Sequence, residues 1–337
     1  MTAKILESFG GKLAEQWVAT LLTPAFVFWL GGFAAILQRW GWPSLMAQFT
    51  PIPEPLQIAL LVGLFCLIVV SAFVVQRFDR ATLRFLEGYW HPWLHPLRQF
   101  RIRYYRDRQA NLTQQSQALR AIEAQKTTIL QTLKTAIATH GAQRLTADQR
   151  AEYLRLNDQL LTPTQQATLI RLGQELRAMP TTTADLMPTR LGNLLRTAER
   201  KPLEKYGLDA IICWSRLWML LPDAVKKDLQ EARDDLNTAA RIWLWSLLFC
   251  AWTLMGDWRS ISSGLWITWP LILGLLSAGF AYGWTLEAAS TYGDLIEAAF
   301  DLHRHLLYQA LRWNIPPDPV VEQRVGRELT QYLRRRS

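Results

Sequence analysis

The chain has 337 residues, half of them apolar, and a formal net charge of +9. Its mean hydropathy near zero conceals a partition, with apolar residues gathered toward both ends and a polar, Gln- and Arg-rich middle. The positive charge sits beside apolar runs, which excludes a nucleic-acid partner in favour of anionic lipid headgroups.

Residues 1–20 carry Ile5, Phe9, Leu13 and Trp17 at four-residue spacing, the pattern of an amphipathic interfacial helix. The apolar run that follows starts too late and is too long for a signal-peptide core, and no A-x-A pattern follows it. Residues 21–76 read as two transmembrane helices, 21–40 and 56–76, joined by a Pro-rich loop over 41–55 without Lys or Arg. Arginines then crowd in: Arg77, Arg80, Arg84, Arg98, Arg101, Arg103, Arg106 and Arg108. By the positive-inside rule this side is cytosolic.

Residues 77–238 contain no span and form a cytosolic helical domain. Leu112, Leu119, Ile122, Ile129, Leu133 and Ile137 fall at heptad-like spacing, predicting a long helix that ends at His140-Gly141 and needs a packing partner. Thr146 with Gln149, and Thr162-Pro163 with Gln165, are capping-box starts for a helical hairpin over 146–161 and 163–178. After a linker at 179–183, Leu191, Leu194, Leu195 and Ala198 mark another helix. The apolar run 211–221 is too short to span, so it is either core or a segment dipping into the interface. Pro222-Asp223 opens a charged helix leading into the third span.

Residues 239–286 hold transmembrane helices three and four, with an outer loop at 256–264, and 287–337 return to the cytosol. From Gly264 to Trp313 no internal proline interrupts the pattern beyond Pro270, in the fourth span's first turns, so that span is expected to continue as one long cytosolic helix. A last short helix carries Val321, Val325, Leu329 and Tyr332. The fold class is therefore all-α and polytopic, with four spans, both termini cytosolic, in the cell's inner or plasma membrane. The three cysteines, Cys66 and Cys250 in spans and Cys213 in the middle, are read as reduced.

Four constellations are candidates for function. Glu287, Asp294, Glu297 and Asp301 recur at steps of seven, three and four, on one face of the helix after the fourth span. They are either partners of the Arg98–Arg108 cluster or, in symmetry-related copies, the lining of a cation-favouring vestibule. Thr23, Gly31 and Gln38 in the first span, and Gly274, Ser277, Gly279 and Gly283 in the fourth, form rows of small and polar residues suited to helix packing or to lining a pore. Arg77, Arg80, Arg98, Arg101 and Arg103 are candidate contacts for anionic lipid. Arg190, Arg196, Arg200 and Lys201, near Tyr206, Trp214 and Trp218, form either a pocket for an anionic ligand or a headgroup-facing surface with Trp anchors.

Other chemistry finds no support. His91 and His95 are separated by Pro92, and His303 and His305 point to different sides of a helix, so no metal site is expected. Gly10-Gly11-Lys12 lacks the context of a phosphate loop, no catalytic motif is present, and no cofactor is implied. No ionisable residue lies mid-span, which disfavours a proton relay or charge-coupled pump.

The layout of two spans, cytosolic helices, two spans and a long cytosolic helix is similar to that of bestrophin-type anion channels. The similarity is one of layout alone: none of that family's motifs is present, the acidic row favours cations, and no residue role is carried over. The leading expectation is a homo-oligomeric channel or pore with a cytosolic helical gating or vestibule domain and ions as its cargo. The alternative is a membrane-anchored scaffold or sensor binding cytosolic partners or an anionic ligand. An enzyme is not expected.

Overall fold

The computed structural model describes residues 22–140, 145–255 and 268–335, and among these every regular element is helical. The expected interfacial helix at 2–20 and the outer loop at 256–264 lie outside the described residues.

The first four helices are α1 (Thr23–Trp40), α2 (Trp42–Phe49), α3 (Glu54–Gln76) and α4 (Asp79–Glu87). Gly41 takes φ +73° and ends α1, and Pro43 presets the first turn of α2. The stretch expected as a plain loop over 41–55 thus contains a helix, because Leu45 finds a buried position. α4 stops at Gly88, φ +99°, whose N–H and that of Tyr89 bond back to Phe85 and Arg84, a left-handed cap.

The next three helices are α5 (His95–His140), α6 (Ala147–Asp158) and α7 (Pro163–Arg177). Both capping boxes form: Thr146 with Gln149, and Thr162 with Gln165, each bond reciprocally. The partner that the heptad-like row of α5 requires is supplied by the same chain. Leu112 and Leu119 pack with Leu172, Leu176 and Met179 as the hairpin folds back along α5.

The chain continues through α8 (Arg190–Tyr206), α9 (Ala210–Leu220), α10 (Asp223–Phe249), α11 (Trp269–Ala310) and α12 (Pro319–Arg334). The short apolar run resolves as core: Cys213 and Leu217 of α9 are fully buried beside Phe300, Leu307 and Leu329. Burial pushes the Cys213 thiol up to about 11, so it is a packing group rather than a nucleophile. After α10 the chain tightens into a 3-10 segment, Cys250–Met255.

Among the described residues three helical stretches are long and apolar enough to cross a membrane: Glu54–Gln76, Asp223–Met255 and Trp269–Ala310. α1, which covers the first expected span, has 18 described residues and ends in Gln38-Arg39-Trp40, which lowers its apolar character. α11 is continuous for 42 residues, about 63 Å at the helical rise, and joins the apolar and polar halves as one rod. α10 packs antiparallel along it, and together they are the axis of the fold.

Candidate functional site

α11 has two faces with different chemistry. Gly274, Ala278, Ala281, Thr285, Ala289, Gly293 and Ile296 are buried in succession. They recur at three- and four-residue steps and turn toward α10 and α8. On the opposite side Leu276, Gly279, Gly283, Glu287, Ser290 and Asp294 are all exposed. This second row runs without a charge to Gly283, then meets its first acid at Glu287.

The close approaches are made by other glycines than the Gly279/Gly283 pair. A Cβ on Gly31 would lie 2.1 Å from the Phe249 ring, and one on Gly32 2.3 Å from Trp252. On Gly274 it would lie 2.5 Å from Cys250 Sγ and 2.8 Å from Ser246 O. At Gly279 and Gly283 a Cβ would meet nothing within 4 Å. Small residues permit helix approach only where a helix is present to approach, and among the described residues this pair has none. Gln38 accepts a 2.8 Å bond from Trp269 Nε1, tying α1 to the start of α11. Ser277 Oγ donates back to Gly274 O, and Thr23 is exposed near the start of α1.

The four acids divide. Glu297 accepts from Lys201 Nζ and, at 2.5 Å, from Lys205 Nζ. Asp301 accepts from Lys205 Nζ at 3.2 Å and from Tyr206 OH at 2.6 Å. The paired carboxylates hold the Lys205 ammonium above its ordinary range, first through the hydrogen bond it donates to Glu297. Their partners are therefore lysines of α8 and not the Arg98–Arg108 cluster. The reason is that α8, not α5, lies alongside α11, so close that a Cβ on Gly293 would stand 3.0 Å from the Ala198 methyl. Glu287 and Asp294 are exposed, and neither takes part in an ion pair among the described residues.

The Arg/Trp block does not make one pocket. Arg196 and Arg200 both donate to Asp185 Oδ1, at 3.2 and 2.6 Å, and Arg196 also reaches Glu199 at 3.3 Å. Trp214 and Trp218 instead enter the core, Trp214 against Phe300. The two sets stand on separate helices, α8 and α9, broken at Gly207 with φ +72°, so the arginines hold the 179–189 segment while the tryptophans fill space. Asn193 completes that work, bonding Met187 through both its amide atoms. Arg101 is half-buried, donates to Pro188 O and Tyr105 OH, and stacks over Tyr104 and Tyr105. Arg98 is half-buried, and Arg77, Arg80 and Arg103 are exposed.

One group that sequence reasoning passed over stands at the junction of the apolar and polar halves. Arg241, 5% exposed, donates through Nε and Nη2 to both carboxylate oxygens of Asp79, at 3.0 and 2.5 Å. It fastens the start of α4 to α10 where the charged part of α10 gives way to Ile242-Trp243-Leu244. The available signal was an arginine on the edge of one apolar run and an acid just past another. Nearby, a cavity of about 290 Å³ is walled by Trp214, Tyr292, Glu87, Glu199 and Arg233. Burial, reinforced by Glu199 and opposed by Arg233, raises the Glu87 carboxyl above the usual range.

Three clefts surround the foot of the α6–α7 hairpin. One of about 730 Å³ lies between α7, α8 and α11 and includes Asp294, Lys201 and Lys205. A second of about 770 Å³ adjoins it through Gln174, Arg177 and Lys201. A third, of about 330 Å³, is bordered by Tyr105, Arg108, Arg171, Arg190 and Asn193. Among the described residues no group of three or more His, Cys, Asp or Glu side chains converges as a metal site. No family model, curated protein or solved structure matches the chain.

Proposed function

We propose that the protein is a homo-oligomeric integral membrane protein of the plasma or inner membrane, in which copies of α11 surround an ion path. α1 serves as the first span, making four with the three longer ones, and the Arg-rich side with both termini faces the cytosol. Four spans in one chain leave little room for water, so conduction requires several copies. The single observation carrying this reading is the exposed row of α11: Leu276, Gly279 and Gly283 uncharged, then Glu287 and Asp294 exposed and in no ion pair among the described residues. Arranged around an axis, these two acids place a ring of negative charge at the cytosolic mouth and favour cations. Glu297 and Asp301, neutralised by Lys201 and Lys205, brace the wall behind that mouth.

Recording from purified protein in planar bilayers tests this. Wild type should pass cation-selective current, and Glu287→Gln with Asp294→Asn should move the reversal potential in a salt gradient toward zero without changing oligomer size. Silence across varied ions and voltages overturns conduction, and loss of the oligomer in the double variant makes the acids subunit contacts instead.

A second reading, a membrane-anchored scaffold or sensor, is favoured by the clefts at the foot of the α6–α7 hairpin. Particle images in detergent separate the two: a ring with a continuous axial opening supports the channel, and a closed or lipid-filled seam supports the scaffold.

A further inference from the structure

We infer that the cleft of about 330 Å³ between α5, α7 and the start of α8 binds a phosphomonoester, held by Arg171 and Arg190 with Arg108 and Tyr105 at its edge. This goes beyond the proposed ion path and does not depend on it.

Charge distinguishes this cleft from its neighbours. Lys201 and Lys205 face the adjoining cleft already neutralised by Glu297 and Asp301, and the second cleft sets Arg120 and Arg177 against the carboxylate of Glu204, an excess of one. Arg196 and Arg200 are likewise committed to Asp185. Here three guanidinium groups from three helices border one space, against the single carboxylate of Glu175. That carboxylate is engaged by Arg108 Nη2 at 2.8 Å. Arg171 and Arg190 are exposed and take part in no ion pair among the described residues. The cleft is left with an excess of two positive charges, which a phosphomonoester dianion matches.

Geometry supports the same ligand. Guanidinium groups meet tetrahedral oxyanions through paired N–H donors, whereas an ammonium offers only a point charge. Arg190 stands in the first turn of a 17-residue helix whose N-cap is Thr189, so the dipole of α8 adds to the attraction. The far wall is stiff: Tyr105 is 7% exposed and its hydroxyl accepts from Arg101, which is itself anchored on Pro188 O. Asn193, at the floor, is held by both bonds to Met187. A volume of about 330 Å³ accepts a phosphoryl group with a small substituent and is at the low end of ligand pockets.

Two sources present this chemistry. α8 packs through Leu191 and Leu195 on Leu83 and Leu86 of α4, which begins three residues after α3 ends. The cleft therefore stands near the level of lipid headgroups, within reach of phosphatidic acid, and it is also open to soluble phosphate esters.

The test is binding by full-length protein in nanodiscs, read by thermal unfolding and by calorimetry. The probes are inorganic phosphate in phosphatidylcholine discs, and discs containing phosphatidic acid, each against chloride at matched ionic strength. Wild type should be stabilised by at least one probe, and Arg171→Gln with Arg190→Gln should weaken that binding by about tenfold per guanidinium removed. Arg190→Lys, which keeps charge but loses the paired donors, should fall between the two. Stabilisation by phosphatidic acid alone assigns the site to lipid, and stabilisation by inorganic phosphate assigns it to a soluble ester. No effect of either probe, or an equal effect on the folded double variant, overturns the site.

Discussion

The two halves of the α10–α11 rod are held by different means. In the apolar half small residues set the closest approaches: Ala25, Ala72, Ala278 and Ala281 are buried, and Gly31, Gly32 and Gly274 admit Phe249, Trp252 and Cys250, beside the larger Ile68, Val75 and Trp245. In the polar half large residues dominate: Leu208, Leu217, Leu229, Phe300, Leu307 and Tyr308. A leucine facing lipid gains little by turning inward, so close backbone approach and dispersion must hold such helices together. In water the same leucine is driven inward by about 25 cal/mol per Å² of apolar surface removed from solvent. α11 belongs to both regimes, changing from alanine and glycine on its buried face to Ile296, Phe300 and Leu307.

The largest expected effect lies where the regimes meet. Asp79→Asn or Arg241→Ala leaves a charge buried without its partner, and should cost about 3–5 kcal/mol. Asp79→Leu with Arg241→Met removes both charges and should restore most of that loss. Unfolding free energies of the three variants in detergent check this. If the single variants are neutral, the pair is not what joins the halves.

The second test is confined to the apolar half. Gly274→Leu must displace Cys250 and the Ser246 backbone, and should destabilise by about 1–3 kcal/mol or more. Gly279→Leu with Gly283→Leu places each new Cβ more than 4 Å from any described neighbour, and should change single-chain stability by less than about 0.5 kcal/mol. Comparing thermal midpoints with oligomer size by light scattering separates a fold effect from an assembly effect. Equal destabilisation by both substitutions would abolish the distinction between the two faces of α11.

The smallest effect concerns Glu87, beneath the cavity of the polar half. Its carboxyl is raised above the ordinary value by burial, with Glu199 adding to it and Arg233 opposing. The folded state thus holds this proton more tightly than the unfolded chain. Stability should therefore decline as pH rises from the ordinary glutamate range through the raised folded value, and level off above it. Glu87→Gln should flatten that part of the profile and leave the protein more stable at neutral pH. Thermal midpoints between pH 4 and 8 measure it, and a Glu87→Gln profile parallel to wild type would remove Glu87 as the cause.

Much of this architecture was legible in the residues themselves. The capping boxes at Thr146/Gln149 and Thr162/Gln165 and the start of α10 after Pro222 depend on groups within four positions of one another. Local periodicity likewise put Glu287, Asp294, Glu297 and Asp301 on one side of a helix. It was silent on which of them a lysine neutralises, and it suggested the wrong cations.

What tertiary structure alone decided is which faces meet. Asp79 and Arg241 stand 162 positions apart, and Lys205 stands 92 from Glu297. Arg171 and Arg190 share a cleft only because the α6–α7 hairpin folds back along α5. Hydrophobic pattern says that a face will be covered but not by what, since any apolar surface of fitting shape lowers the free energy alike. The choice among partners falls to close packing, where one glycine facing Cys250 and another facing nothing read identically along the chain.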